Sequence, residues 1–212
     1  MSMPFYVGFS RSGSHWIRLV LEEYMNGESP LSKFLECKDD VKKQIDRSDE
    51  FKGTHDLNLD FQADYVLYLY RNPIDCIFSN LKYDGLDYMN DTESINKYLN
   101  LWVLHITKWI YDEDFTKHKV IISYENLKSD FVSEFSKVLK FLKVEIDAER
   151  IIQAKEIYTK SKIREIVHDK KVINNEEDYE QQRNEFIKKY GKYIYNKLPE
   201  SHKSICEFPL NI

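Results

Sequence analysis

PFYVGFSRSGSHWIRLVLEEYM, residues 4–25, changes its period twice, and the rest of the chain can be read outward from it. Phe5, Tyr6, Val7 and Phe9 make an apolar, aromatic run of the kind a buried strand requires. Ser10, Arg11, Ser12, Gly13 and Ser14 then read as a turn, after which Trp16, Leu19, Val20 and Tyr24 follow at helical spacing. Strand, small-residue loop, helix is how a chain builds an anion cradle. Gly13 lets the backbone curl, the first amides of the helix lack internal acceptors, and the helix dipole adds positive potential there. An ordinary strand-to-helix turn with a serine N-cap has the same local pattern. The stretch is not a nucleotide P-loop, which needs Gly, four residues and then Gly-Lys-Ser/Thr. Here the cation, Arg11, precedes the glycine, and no Lys-Ser or Lys-Thr follows.

A chain of 212 residues is long enough for one well-buried core and short for two, so a single domain spanning residues 1–212 is expected. With 42% hydrophobic and 32% charged residues and a mean hydropathy of -0.58, the composition is that of a soluble globular protein. The net charge of -5 argues against broad attachment to nucleic acid or to an anionic membrane. An anionic ligand must therefore be held by local cations. Cys37, Cys76 and Cys206 are far apart, odd in number and without metal-ligand spacing, which suits a reduced, intracellular setting. The opening MSMPFYVGF enters a strand at once, with no basic segment followed by a long apolar run. A cytoplasmic protein without membrane insertion is the expectation, and a soluble fragment of a larger anchored enzyme is the other reading.

Further along, FKGTHDLNLDF (residues 51–61) has no helical period and sets Lys52, Thr54, His55 and Asp56 close together. Asp64 to Tyr70, DYVLYLY, reads as a second buried strand and ends directly at RNPIDCIFSN. Arg71, Asn72 and Pro73 mark a strand end and the first turn of a helix, where proline is tolerated. Arg71 and Ser79 then stand eight residues apart, slightly over two turns, so a ligand spanning the loop and one helix face could meet both. From Asp91 to about Phe115 the period is helical, with Ile95, Leu99, Trp102, Ile106, Trp109 and Ile110 as a core stripe. HKVIISY, residues 118–124, reads as a third strand, followed by ENLKSD and an amphipathic helix from about Phe131 to Leu142. Helices are expected from Asp147 to about Ile163 and from Arg183 to Leu198, with a polar, loop-like stretch from Val167 to Glu180 between them. Strands alternating with helices predict a three-layer α/β fold with a mostly parallel central sheet flanked by helices. Ligands of such sheets bind beyond the carboxyl ends of the strands. That rule brings the loop at residues 10–15, His55, Arg71 and Tyr124 to one rim.

FSRSGSHW, RNPIDCIFS and SYENLKSD, in that order, resemble the sulfotransferases that use 3'-phosphoadenosine 5'-phosphosulfate (PAPS). The match runs from Pro4 to about Leu142 and implies a P-loop-like sulfotransferase fold. In that family a PKSGTTW-like loop binds the 5'-phosphosulfate, an RNPKDVAVS-like segment binds the 3'-phosphate, and a YEDL-like segment follows a later strand. The resemblance therefore implies that Arg11, Ser12, Gly13, Ser14, His15 and Trp16 wrap the 5'-phosphate and the sulfuryl group, with Trp16 near the adenine. Arg71 and Ser79 would hold the 3'-phosphate, Tyr124 would fall on the nucleotide side, and His55 would be the catalytic base. Arg11 would add electrostatic help at the bridging oxygen, and no metal is needed.

The sequence departs from the family pattern in three places. Arg11 replaces the loop lysine and cannot give up a proton. Gly53 stands where the family has a lysine two places before the base, with Lys52 displaced by one. The late RKG-like segment is missing, and Lys170, Lys171 or Arg183 are the candidates to substitute for it. Asp56 could orient His55 or begin a turn. His15, His105, His118, His168 and His202 have no metal-ligand spacing and read as structural or solvated.

The function expected is transfer of a sulfuryl group from PAPS to a hydroxyl or amine on a small molecule or glycan, releasing 3'-phosphoadenosine 5'-phosphate (PAP). A nucleotide-dependent phosphotransferase and a catalytically silent nucleotide-binding domain are the alternatives. Residues 27–50 and 85–92, which would shape the acceptor side, carry no readable motif, and oligomeric state stays open.

Overall fold

The computed structural model describes residues 5–25, 53–116, 118–166 and 177–206. Strands β1 (Phe5–Gly8), β2 (Gly53–Thr54), β3 (Tyr65–Tyr70) and β4 (His118–Ser123) form one parallel sheet in the order β2-β1-β3-β4. The helices are α1 (Ser14–Tyr24), α2 (Pro73–Asp84), α3 (Thr92–Ile106), α4 (Tyr124–Ser129) and α5 (Phe131–Leu142), then α6 (Ala148–Ile157), α7 (Lys160–Ile166), α8 (Tyr179–Lys197) and α9 (Glu200–Lys203).

A parallel sheet must be covered on both faces, and strand alternation divides the core accordingly. Val7, Val66 and Tyr68 face one way, into a cluster with Ile77 and Phe78 of α2, Trp102 of α3 and Phe186 of α8. Tyr6, Leu67, Leu69 and Ile122 face the other way, against Ile17 and Val20 of α1, Phe135 of α5 and Ile151 of α6. Each large apolar side chain buried in these layers contributes about 2 kcal/mol. The three-layer α/β build expected from the sequence is the one observed.

Local departures have local causes. The short β2 joins the edge of β1 through Tyr6–Gly53 and Val7–Thr54, although residues 51–61 contain no apolar run. The last strand stops at Ser123 because Ser123 Oγ accepts from the Asn126 amide at 3.4 Å and caps α4, so Tyr124 opens a helix instead of closing a strand. The helix expected from Asp147 to Ile163 is broken at Tyr158, whose hydroxyl donates to Glu23 of α1 at 3.2 Å. The helix expected to reach Phe115 follows regular α geometry only to Ile106. It then widens into a π-turn over Thr107–Tyr111, closed by the Asp112 amide on the Thr107 carbonyl at 2.9 Å. α8 begins at Tyr179, inside the stretch expected to be loop.

The strand order fixes where a ligand can go. β1 sends its connection outward to β2 while the adjacent β3 sends its connection the opposite way to β4, so the loops after β1 and β3 diverge and leave a crevice. Residues 9–13 and Arg71–Asn72 form its two walls. Among the described residues, no helix is long and apolar enough to cross a membrane.

Candidate active site

The loop after β1 turns on two left-handed residues, Arg11 (φ 69) and Gly13 (φ 97), with the Ser12 amide returning to the Phe9 carbonyl at 3.2 Å. Gly13 is the N-cap of α1, and no side chain caps it, so the serine cap that the sequence allows is not formed. The first turn of α1 carries no acidic residue, so the positive end of the helix dipole faces the loop without a compensating carboxylate.

α2 holds this loop from the side. Ser10 Oγ donates to Asn80 Oδ1 at 2.9 Å, Arg11 Nε donates to Ser79 Oγ at 3.0 Å, and Ser12 Oγ lies 3.6 Å from Cys76 Sγ. Burial pushes the Cys76 thiol up to about 12, which keeps it protonated. Arg71 Nη1 closes the seam by donating to the Arg11 carbonyl at 3.2 Å. The Arg11 guanidinium thus lies along α2, between Ser79 and the Tyr83 ring 5.0 Å away.

Arg71 ends β3. Trp102 Nε1 donates to its carbonyl at 3.1 Å, and Asn72 caps α2 by accepting from the Ile74 amide, with Pro73 in the first turn. The Arg71 guanidinium stacks on the Tyr124 ring at 4.4 Å and stands 3.9 Å from Asp75. Burial works against its charge, but Asp75 first and then Tyr124 more than compensate, so its pKa is raised. Arg71 Nε is buried and has no hydrogen-bond partner among the described residues, an orphaned donor of the kind an anion would satisfy. Arg183 of α8 grips Asp75 with Nε at 2.5 Å and Nη2 at 3.1 Å. Burial raises the Asp75 pKa, and the Arg183 bond with the charges of Arg71 and Arg183 overcomes this and lowers it. The Tyr179 hydroxyl hydrogen-bonds Ser79 from α8. Asp75 could have been found from its place four residues after Arg71. Tyr179, 100 residues beyond Ser79, gave no sequence signal.

His55 follows β2 and is half-buried. Its Nδ1 lies 2.7 Å from the Gly8 carbonyl, which can only accept, so Nδ1 carries the hydrogen and the neutral ring has its lone pair on Nε2. Burial, aided by the Arg11 charge, lowers the His55 pKa against the raising effect of the Gly8 bond. Asp56 begins the turn, with φ 42 and its carbonyl accepting from the Leu59 amide at 3.0 Å. Its buried carboxylate accepts from the Phe61 amide (3.0 Å), Lys108 Nζ (2.7 Å) and Trp109 Nε1 (2.9 Å). Behind this turn His105 is fully buried, its Nε2 at 2.8 Å from the His55 carbonyl and its Nδ1 at 2.6 Å from the Tyr68 hydroxyl. Lys52, Lys170 and Lys171 lie outside the described residues, as does the candidate acceptor segment 27–50.

Tyr124 joins the two walls. Its ring packs between Arg71 and Gly13, and Trp16 meets it edge-on at 6.0 Å while lying 5.0 Å from Phe131. A Cβ on Gly13 would come within 2.6 Å of the Tyr124 ring. With the cost of the left-handed backbone added, Gly13→Ala is expected to lower the unfolding free energy by about 2–4 kcal/mol. Gly85→Ala, also at positive φ but with nothing within 4 Å, is the comparison and should lose less. Urea titrations giving equal losses would contradict this reading of the Gly13 contact.

Desolvation lowers the His105 pKa from 6.5 to about 3. Below pH ~6.5 the unfolded chain binds a proton there that the native state refuses, so stability falls with pH by up to about 1.4 kcal/mol per unit. Between pH 7 and pH 5 His105 alone should cost about 2 kcal/mol, and urea unfolding of His105→Leu should show a correspondingly shallower pH dependence.

The crevice at the switch point of this parallel α/β protein thus gathers a loop that turns on Gly13, two arginines, a serine and a half-buried imidazole. The chain belongs to the sulfotransferase domain family, whose model matches residues 5–207. Mouse sulfotransferase SULT7A1 complexed with PAP has the same fold, with a TM-score of 0.61 and 17% identity over 97% of this chain and 87% of that one. Retinol dehydratase in complex with androsterone and the inactive cofactor PAP superposes with a TM-score of 0.56 and 12% identity, over 92% of this chain and 80% of that one. Its complex with retinol and PAP gives 0.51 and 13%, covering 92% and 81%. No curated protein matches the chain.

Proposed function

We propose that this sulfotransferase takes its sulfuryl group from PAPS and passes it to a hydroxyl or amine of a small-molecule acceptor, with His55 as the general base. One observation carries the reading: the loop of residues 10–13 is hydrogen-bonded to Arg71 and to α2, so that the two walls bring Arg11, Arg71 and Ser79 together. That cluster suits a donor bearing two separate anionic groups. The opening amides of α1, with Ser12 and Ser14 beside them, would hold the 5'-phosphosulfate, and Trp16 would lie toward the adenine. Arg71 would receive the 3'-phosphate with its forked guanidinium, Ser79 and Tyr179 lying beside it. Arg11, which touches Ser79 and belongs to the loop, would stand between the two groups and offset charge at the bridging oxygen.

Sulfuryl transfer moves a charged tetrahedral group in line, so positioning and charge stabilisation dominate the catalysis. The acceptor's proton would go to His55 Nε2, whose lone pair the Gly8 bond on Nδ1 directs outward from β1. The lowered His55 pKa keeps that atom unprotonated at neutral pH. PAP stands in the three solved structures above, and androsterone or retinol in two of them, which supports a nucleotide donor and a small-molecule acceptor here.

Calorimetric titration with PAP, set against ATP plus magnesium, tests the donor. Tight binding of PAP alone supports the proposal. Binding of ATP with magnesium and not of PAP would favour a phosphotransferase, and PAP binding without turnover on any acceptor would mark a silent nucleotide-binding domain.

A further inference from the structure

Resting on His55 as the base, we propose that His105 and Tyr68 are positioning residues that hold His55 at its working distance from the anion loop. The bond directions follow from chemistry alone. The His55 carbonyl can only accept, so His105 Nε2 must donate to it at 2.8 Å. His105 in its neutral form then has an acceptor at Nδ1, and the Tyr68 hydroxyl must donate to it at 2.6 Å. Charged His105 would instead donate from Nδ1 to the Tyr68 oxygen, so this direction of bonds belongs to the neutral ring. The chain of bonds runs from the Tyr68 hydroxyl to His105, from His105 to the His55 carbonyl, and then from the His55 ring to Gly8 at the end of β1. Both ends of this chain are strands of the sheet.

The location argues for purpose. Tyr68 lies in the core cluster between sheet and helices and His105 packs against it and Phe9, 0% and 1% exposed, where apolar side chains would fill the same volume without needing partners. The segment they brace has little regular structure of its own: Asp56 and Leu59 both take positive φ, at 42° and 59°. Lys108 pins the same segment by donating to Asp56 Oδ2 (2.7 Å), the Leu59 carbonyl (2.9 Å) and the Phe61 carbonyl (2.6 Å), and Trp109 adds its indole N–H to Asp56. His105, Lys108 and Trp109 share one helix face at i, i+3 and i+4, where α3 widens into its π-turn. Lys108 and Trp109 fix where the turn lies, and His105 with Tyr68 fixes the one residue in it that carries the imidazole. The charged and titratable groups around this assembly are Arg11 beside His55, Lys108 and His55 itself beside His105, and Cys76, Tyr6, Asp56 and Tyr70 around Tyr68.

Nitrogen-15 spectra of histidine-labelled protein test this without needing an acceptor, the His55 signals being assigned by their loss in His55→Ala. The parent should show His55 as a single Nδ1–H tautomer. In His105→Leu the His55 signals should report mixed tautomers and a titration moved back up toward that of an ordinary histidine, while PAP affinity stays unchanged. His105→Gln, whose amide can still donate to the His55 carbonyl, should restore most of the parent spectrum. With an acceptor in hand, His105→Leu should reduce kcat by roughly ten- to a hundredfold with little change in KM for PAPS. Tyr68→Phe keeps the core shape and removes only the hydroxyl, so it gives the same test in milder form if His105→Leu does not fold. An unchanged His55 tautomer and titration in either folded variant overturns the positioning role. Full turnover by His55→Ala would instead overturn the base assignment on which the proposal rests, and the two failures are read from different experiments.

Discussion

With His55 as the proposed base, His55→Ala is expected to lower turnover of PAPS by about 10²–10⁴-fold while PAP still binds as tightly as to the parent, because general-base catalysis typically supplies an acceleration of that size. The separation of the two effects is the point. His55 is anchored to the Gly8 carbonyl, whereas the donor contacts proposed above come from the loop amides, Arg71 and Ser79. Loss of the ring removes one hydrogen bond to the Gly8 carbonyl, a cost of about 1 kcal/mol in stability, and removes no cation. Radiolabelled PAPS with a panel of phenols, alcohols and amines measures the first quantity, and calorimetry with PAP measures the second. Normal turnover would move the base elsewhere. Asp56, the neighbouring carboxylate, is an unpromising heir, since it is buried and committed to Lys108, Trp109 and the Phe61 amide.

Arg71→Ala should weaken PAP binding by about a hundredfold and AMP binding far less. Two charge-assisted hydrogen bonds to a phosphate are worth about 3 kcal/mol together, which corresponds to that factor. The orphaned Nε and the bond from Nη1 to the Arg11 carbonyl place the fork at the meeting of the two walls, so its loss also loosens the loop that holds the other anionic group. Arg71→Lys should recover little, because a point charge cannot reproduce a planar fork. Equal losses for PAP and AMP, measured by the same calorimetry, would remove the 3'-phosphate from this position.

The sheet and its crevice were legible because their signals are local. Residues 4–25 show both periods, and RNP marks the end of a strand wherever it falls. β2 was not legible: two residues, one of them a glycine, form a strand only because the edge of β1 offers them hydrogen bonds. The site was legible in its list of residues and less so in its wiring. Arg11 could be assigned to the loop from sequence, but not its reach to Ser79, 68 residues away. Asp56 could be weighed evenly between orienting His55 and starting a turn, since its partner Lys108 lies 52 residues further on. His105 reads from sequence as one more structural or solvated histidine for the same reason: both of its bonds cross the core. Such contacts are set by how layers pack, and a single sequence carries no record of them.

A π-turn is an α-helix holding one residue too many, and that gives Thr107–Tyr111 a particular kind of fragility. Side chains there can be exchanged as long as Lys108 and Trp109 keep their donors, but the count of residues cannot change. Deleting one would let the turn close as ordinary α-helix and shift the side chains within it relative to His105, moving Lys108 and Trp109 off the Asp56 carboxylate they share. Over this segment, length is inherited more strictly than identity: descendants of this chain should differ here by substitution and almost never by insertion or loss.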